Sequence, residues 1–179
     1  MHYFTAVHLA LNQATTKDTL QQLKSVSEKW EMEKSKGSKC SEENEDNPEE
    51  EEVNRTYSKQ LKSIDRLLGE VYNEETIANA VKILGNDIAA IRSAPTALFC
   101  FLKAQDPIDG FCETNPFQRT LELAMSFGGD SDTIMSMAGA IAGAYYGEKN
   151  IPQYLIALCE GVKDAQNQAE EIYRLLQPH

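Results

Sequence analysis

The residues best suited to chemistry lie in one short run, Gly128-Gly129-Asp130-Ser131-Asp132-Thr133. Two glycines allow a sharp turn. Asp130 and Asp132 are two apart, so in a turn their carboxylates can point to a common centre, and Thr133 adds a hydroxyl oxygen. A helix starting near Ser131 or Asp132 would present free N–H groups and a dipole that favour ionised carboxylates. Hard oxygen donors of this kind select magnesium, calcium or manganese over zinc. The same residue types also serve as helix caps, and spacing alone leaves both readings open. Two other motifs fit poorly. The Asp-x-Asp-x-Thr of aspartyl-nucleophile phosphatases has Thr as its fifth residue, after a buried strand; here Thr directly follows the second Asp and the preceding segment is helical. An EF-hand loop would need Gly at its sixth position and Glu at its twelfth.

The elements around this run are all read as helices. Phe4, Val7, His8 and Leu11 have helical spacing with no capping residue before them. A helix from about Lys17 to Met32 carries Leu20, Leu23, Val26 and Trp30, with Thr16 or Asp18 as cap. Residues 33–55 offer almost no apolar side chain to offset the entropy of ordering, and read as a mobile acidic loop. The helical period resumes from Tyr57 to Tyr72, with Leu61, Ile64, Leu67, Leu68 and Val71 on one side. Another helix, Glu74 to Leu84, stops at Gly85-Asn86. Asp87 to Arg92 predicts a short turn or helix, after which Pro95 opens a buried helix capped by Ser93. Pro116 opens a helix to about Phe127, and Pro152 opens one further on. Val162 to Leu176 is the last. No run of alternating β-branched residues occurs, so the fold class is all-α. Behind the carboxylates, Gly139, Gly143 and Gly147 recur every four residues and make a smooth face for a close-packed neighbour.

The net charge of -11 argues against general phosphate-backbone binding. Eight of the 28 acids fall between Glu42 and Glu52, however, so the charge mostly describes one loop. Cys40, Cys100, Cys112 and Cys159 form no C-x-x-C pair, which points to a reduced compartment. Cys100 and Cys159 sit among apolar residues and read as core hydrophobes. No secretory signal or bilayer-length apolar stretch is visible, so the expectation is a soluble chain, one domain in size.

Taken together, the Gly-Gly-Asp-x-Asp-Thr run, followed by Met137-Ala138-Gly139-Ala140-Ile141-Ala142-Gly143-Ala144-Tyr145-Tyr146-Gly147, resembles the C-terminal signature of the ADP-ribosyl-acceptor hydrolases, or ADP-ribosylglycohydrolases. The resemblance is to the branch acting on poly(ADP-ribose) and serine-linked ADP-ribose. Leu84-Gly85-Asn86, Ile88-Ala89-Ala90, Pro95-Thr96-Ala97, Cys100-Phe101-Leu102 and Gln118-Arg119-Thr120-Leu121 match that branch in order, and Ala6 to Leu11 matches an earlier helix. The resemblance implies an orthogonal bundle of helices whose cleft holds two Mg2+ ions against ADP-ribose. It makes Asp130, Asp132 and Thr133 metal ligands, with Asp132 bridging the ions, and places Ile88 against the adenosine end of the ligand. Ser131 stands where the family has Thr, a position that is not one of the family's metal ligands. By itself, Ile88 reads as a core residue.

Other family parts are missing from this sequence. It contains no Thr-Asp-Asp triplet, no Gly-rich diphosphate loop and no Gly-Asp-Ala-x-Gly helix with its glutamate. Residues 1–179 are therefore expected to be the C-terminal half of one domain, truncated at the N-terminus, with no catalytic residue of their own. The resemblance implies Mg-dependent hydrolysis of the O-glycosidic bond of ADP-ribose in serine-ADP-ribose, poly(ADP-ribose) or O-acetyl-ADP-ribose, reversing ADP-ribosylation in the DNA damage response. In that chemistry the ions orient the ribose hydroxyls and polarise the anomeric bond. The alternative is an inactive fragment that binds ADP-ribose or metal, or regulates. A plain helical scaffold with an Asp-Ser-Asp cap is the third reading. Implied partners are ADP-ribosylated proteins and poly(ADP-ribose), with no direct nucleic-acid or membrane binding, for a monomer in the nucleus and cytoplasm or the mitochondrial matrix.

Overall fold

The helical periods of the sequence are realised as nine α-helices among the described residues, with no strand among them. The computed structural model describes residues 2–37, 56–71, 73–111 and 114–176. The helices are α1 (His2–Leu11), α2 (Thr16–Gly37), α3 (Tyr57–Leu68), α4 (Glu74–Leu84), α5 (Ala90–Lys103), α6 (Pro116–Ser126), α7 (Ser131–Tyr146), α8 (Gln153–Leu158) and α9 (Val162–Leu176). A short 3-10 turn, Glu148–Asn150, joins α7 to α8.

The core is contiguous from α1 to α7. Its fully buried side chains include Leu23 of α2, Ile64 of α3, Leu84 of α4, Phe99 of α5, Leu123 of α6, and Ile134 and Ile141 of α7. Helix α7 packs against α1, α5 and α6. The helix that follows the carboxylates is thus held on several sides, which removes most freedom from its N-terminal turn.

Several local expectations need correction. The helix expected to begin at Pro95 begins at Ala90, with Pro95 inside it. Proline has no N–H, so the carbonyl four residues back, that of Ile91, loses its helical partner. Gln60 of α3 fills the gap: its Nε2 donates to Ile91 O at 3.2 Å and to Leu84 O at 3.1 Å. A buried amide therefore satisfies the carbonyl freed by the proline and one at the end of α4. Ser93 is not a cap, since it lies in the helix and its Oγ donates to Ala89 O. The cap of α2 is Thr15, whose Oγ1 accepts the Asp18 N–H and donates to the Asp18 carboxylate.

Helix α2 continues to Gly37, five residues into the stretch read as a loop. Glu31 ties this part of α2 to the start of α3, its Oε1 accepting the Ser58 N–H at 3.1 Å. The acidic block itself, 38–55, lies outside the described residues, as do Cys40 and Cys112. Val71, expected on an apolar face, is beyond the end of α3 and 81% exposed. Trp30 and Leu11 are exposed too, and Ala6, Leu9 and Ala10 carry the burial of α1. Of the two described cysteines, Cys100 is buried as expected and Cys159 is exposed.

The small-residue face of α7 has its neighbour within this chain. Gly139 faces the Leu121 side chain so closely that a Cβ would lie 3.2 Å from Leu121 Cδ2, and Gly143 faces Phe117 at 3.9 Å. Both partners belong to α6. The face is therefore used to bring consecutive helices together. Among the described residues no helix is long and apolar enough to cross a membrane.

Candidate functional site

The carboxylate turn is built between the end of α6 and the start of α7. Helix α6 starts at Pro116 with Asn115 as its cap and ends at Ser126; the ring of Phe127, its C-cap, is buried edge-on against Phe99 at 5.9 Å. Gly128 and Gly129 follow with φ of +61° and +60°, the left-handed region that side chains rarely adopt. At Gly129 the space is also closed. A Cβ there would run into the Asn86 carbonyl oxygen and lie 2.7 Å from Asn86 Cγ.

Asn86 makes the other half of this contact. Its Nδ2 donates to Phe127 O at 2.8 Å, and its backbone oxygen accepts the Asp130 N–H at 2.8 Å. The Leu84-Gly85-Asn86 segment and the Gly-Gly turn, about forty residues apart in sequence, are thereby clasped together. Ile88 lies two residues past the clasp and is 80% exposed. Its reading as a core residue is overturned, because the chain turns it outward where α5 begins.

Asp130 occupies the N-cap of α7, yet its side chain caps nothing: it accepts no hydrogen bond from the helix N–H groups. Its Oδ2 is buried and finds no hydrogen-bond partner among the described residues. Asp132 lies in the first turn of α7 and is exposed; Thr133 follows, half-buried. A hydrogen bond with the Asp130 carboxyl, then the backbone N–H groups of Thr133 and Asp132, hold the Asp132 carboxyl below the usual carboxylate range. A bond between two carboxyl groups needs a proton between them. A cation placed there would serve the same electrostatic purpose. The geometry thus brings Asp130 and Asp132 together and sets Ile88 near the same clasp.

The cap reading of Asp130 is disfavoured, since a cap would accept a helix N–H and the Asp130 side chain accepts none. No group of three or more His, Cys, Asp or Glu suited to a metal occurs among the described residues. What this chain offers a cation is two carboxylates and a hydroxyl from one turn. Asn86 was read in the sequence only as a helix stop. Its signal was the Gly-Gly pair itself, since successive left-handed residues need a partner for the backbone groups they turn outward. Gln60 was also missed, although Pro95 inside an apolar run announces an orphaned carbonyl.

A sequence profile of the ADP-ribosylglycohydrolase family matches residues 1–179. The chain belongs to this family. It is similar to ADP-ribosylhydrolase ARH3 of Bos taurus and of Homo sapiens, each 44% identical over 126 residues, 69% of this chain. It is also similar to ADP-ribosylhydrolase ARH3 of Danio rerio, 46% identical over 101 residues, 56% of this chain. These matches span 33%, 34% and 27% of the relatives' own lengths, so the chain corresponds to about a third of each. The all-helical architecture agrees with the ADP-ribosylglycohydrolase fold.

Proposed function

We propose that this chain supplies the Asp130–Asp132–Thr133 portion of an ADP-ribosylhydrolase site that works with Mg2+, acting on ADP-ribose joined through an O-glycosidic bond to serine or within poly(ADP-ribose). O-acetyl-ADP-ribose belongs to the same substrate class. The observation that carries the reading is the buried, unpartnered Oδ2 of Asp130 at an N-cap that it does not cap, with the Asp132 carboxyl drawn against it. Family membership supplies the substrate class.

In this reading Asp130, Asp132 and Thr133 would hold Mg2+, with Asp132 the central ligand, and the bound metal would supply Lewis-acid polarisation of the anomeric C–O bond. The N-terminus of α7 adds a partial positive charge beside Asp130 and Asp132. Exposed Ile88, two residues past Asn86, offers an apolar surface for the adenosine end of the ligand. ADP-ribosylated proteins and poly(ADP-ribose) are the partners this implies. The domain boundaries 1–179, as a C-terminal portion of one such domain, and an acidic loop reaching to about residue 55 belong to the same proposal.

A second reading, a fragment that binds ADP-ribose or metal without turnover, is favoured by the donor count. Two carboxylates and a hydroxyl are few for two magnesium ions, which take six oxygens each. Release of ADP-ribose from a serine-ADP-ribosylated peptide with Mg2+ separates the two. Turnover by the 179-residue chain, abolished in Asp132→Asn, supports the enzyme. No turnover by this chain, with turnover by a longer chain that carries a Thr-Asp-Asp triplet, supports the fragment.

A further inference from the structure

We infer that Asn86 is the positioning residue of the carboxylate pair, and that Gly129 is the complementary residue that lets it act. The inference rests on the cation reading for its functional meaning and on the clasp for its geometry.

The loop carrying Asn86 is fixed residue by residue. Leu84 O accepts from the buried Gln60 amide at 3.1 Å. Gly85 O accepts from Thr96 Oγ1, inside α5, at 2.7 Å. Asp87 pairs with Arg92 at 2.8 Å and also accepts the Ala89 N–H. Each of these anchors comes from α3, α5 or the start of α5, helices that belong to the core. Asn86 is the one residue of the loop that reaches across to the turn, where it grips Phe127 O with its side chain and the Asp130 N–H with its backbone.

Within the turn, the Gly128 N–H donates to Met125 O at 3.1 Å. Gly128 and Gly129 bring no side chains, and both adopt left-handed backbone. Two facing carboxylates repel when ionised, so an unsupported turn would swing them apart. Asn86 clamps the backbone on both sides of the glycines, at Phe127 O and Asp130 N. Its side chain lies where a Cβ on Gly129 would be, at 2.7 Å from both Cγ and Nδ2. Any side chain at 129 would push the two segments apart. The rigidity of the core is passed through Asn86 to the backbone of Asp130, and from there along the first turn of α7 to Asp132.

The test measures residue-resolved amide hydrogen exchange in the 179-residue chain, with Mg2+ titration by calorimetry alongside. The variants are Asn86→Ala and Gly129→Ala, each with its thermal midpoint recorded. Expected is a rise of about ten-fold in exchange at the Asp130 amide in Asn86→Ala, a larger rise in Gly129→Ala, and unaltered exchange in the core of α5. Magnesium affinity is expected to fall about ten-fold in both. A general loss of stability would raise exchange in α5 equally and would overturn the inference, as would unchanged exchange at Asp130. If the unaltered chain takes up no Mg2+, the cation reading fails, and the exchange pattern by itself supports or overturns the positioning role.

Discussion

Helices α5 and α9 have similar lengths and opposite fates. Helix α5 has a proline inside it and apolar residues on every side, and nine of its residues are buried. Helix α9 has no proline, a well-separated apolar stripe and a basic residue in its last turn, features that favour helix formation. Yet Lys163 to Leu175 are all exposed, with Ile172 and Leu175 at 57% and 79%. Among the described residues, Gln166 of α9 donates to the Glu148 carboxylate of the preceding segment. Local sequence decided that both segments are helical. What each packs against was decided elsewhere in the chain, and α5 is stable with its proline because Gln60, thirty-five residues earlier, accepts the consequence.

The site depends on the α5 side of this contrast. Phe99 supports Phe127 at the mouth of the turn, and Thr96 and Gln60 hold the loop of Asn86. The sharpest challenge to the comparison is therefore Phe99→Ala. It should cost about 3–5 kcal/mol through the cavity it leaves, measured by urea denaturation, and it should loosen the turn as well. A loss below about 1 kcal/mol would mean that α5 is less central than its burial states.

Gln60→Ala comes next. It removes the donor that serves Ile91 O and should cost about 2 kcal/mol. The effect should shrink when Pro95→Ala restores an N–H for Ile91 O, and a double-mutant cycle would show the coupling.

A pH experiment probes the same region. Tyr146 packs edge-on against Phe101 of α5, and burial pushes its hydroxyl up to about 12. The folded state holds this proton more tightly than the unfolded chain. The contribution is complete below about pH 10, where an unfolded tyrosine ionises, and is lost as the pH rises toward the folded value. Alkaline unfolding curves of the parent and Tyr146→Phe should diverge in that window and coincide at neutral pH. The smallest effect is expected in α9, where Ile172→Ser should alter stability by no more than about 0.5 kcal/mol.

Much of this was legible in the sequence. The bounds of α4 and α9 match those read from the sequence, and in α4 Asn73 closes a capping box with Thr76. The start of α7 at Ser131 follows from the Gly-Gly pair before it. The misreadings share one cause. Pro95 and Ile88 were each judged from nearby residues, while their environments are set by Gln60 and the Asn86 clasp. Asp130 illustrates the limit best, because the residue types of a cap and of a cation ligand are the same. What separates them is whether the oxygen meets a helix N–H, and that depends on the backbone torsions of the turn.

The central claim is that the Asp130–Asp132 pair is a cation site and not a helix cap. Magnesium titration by calorimetry, comparing the parent chain with Asp132→Asn, tests it most directly. Saturable heat in the parent that disappears in the variant is the predicted result. Equal weak heats in both would contradict it and return Asp132 to an ordinary residue in the first turn of a helix.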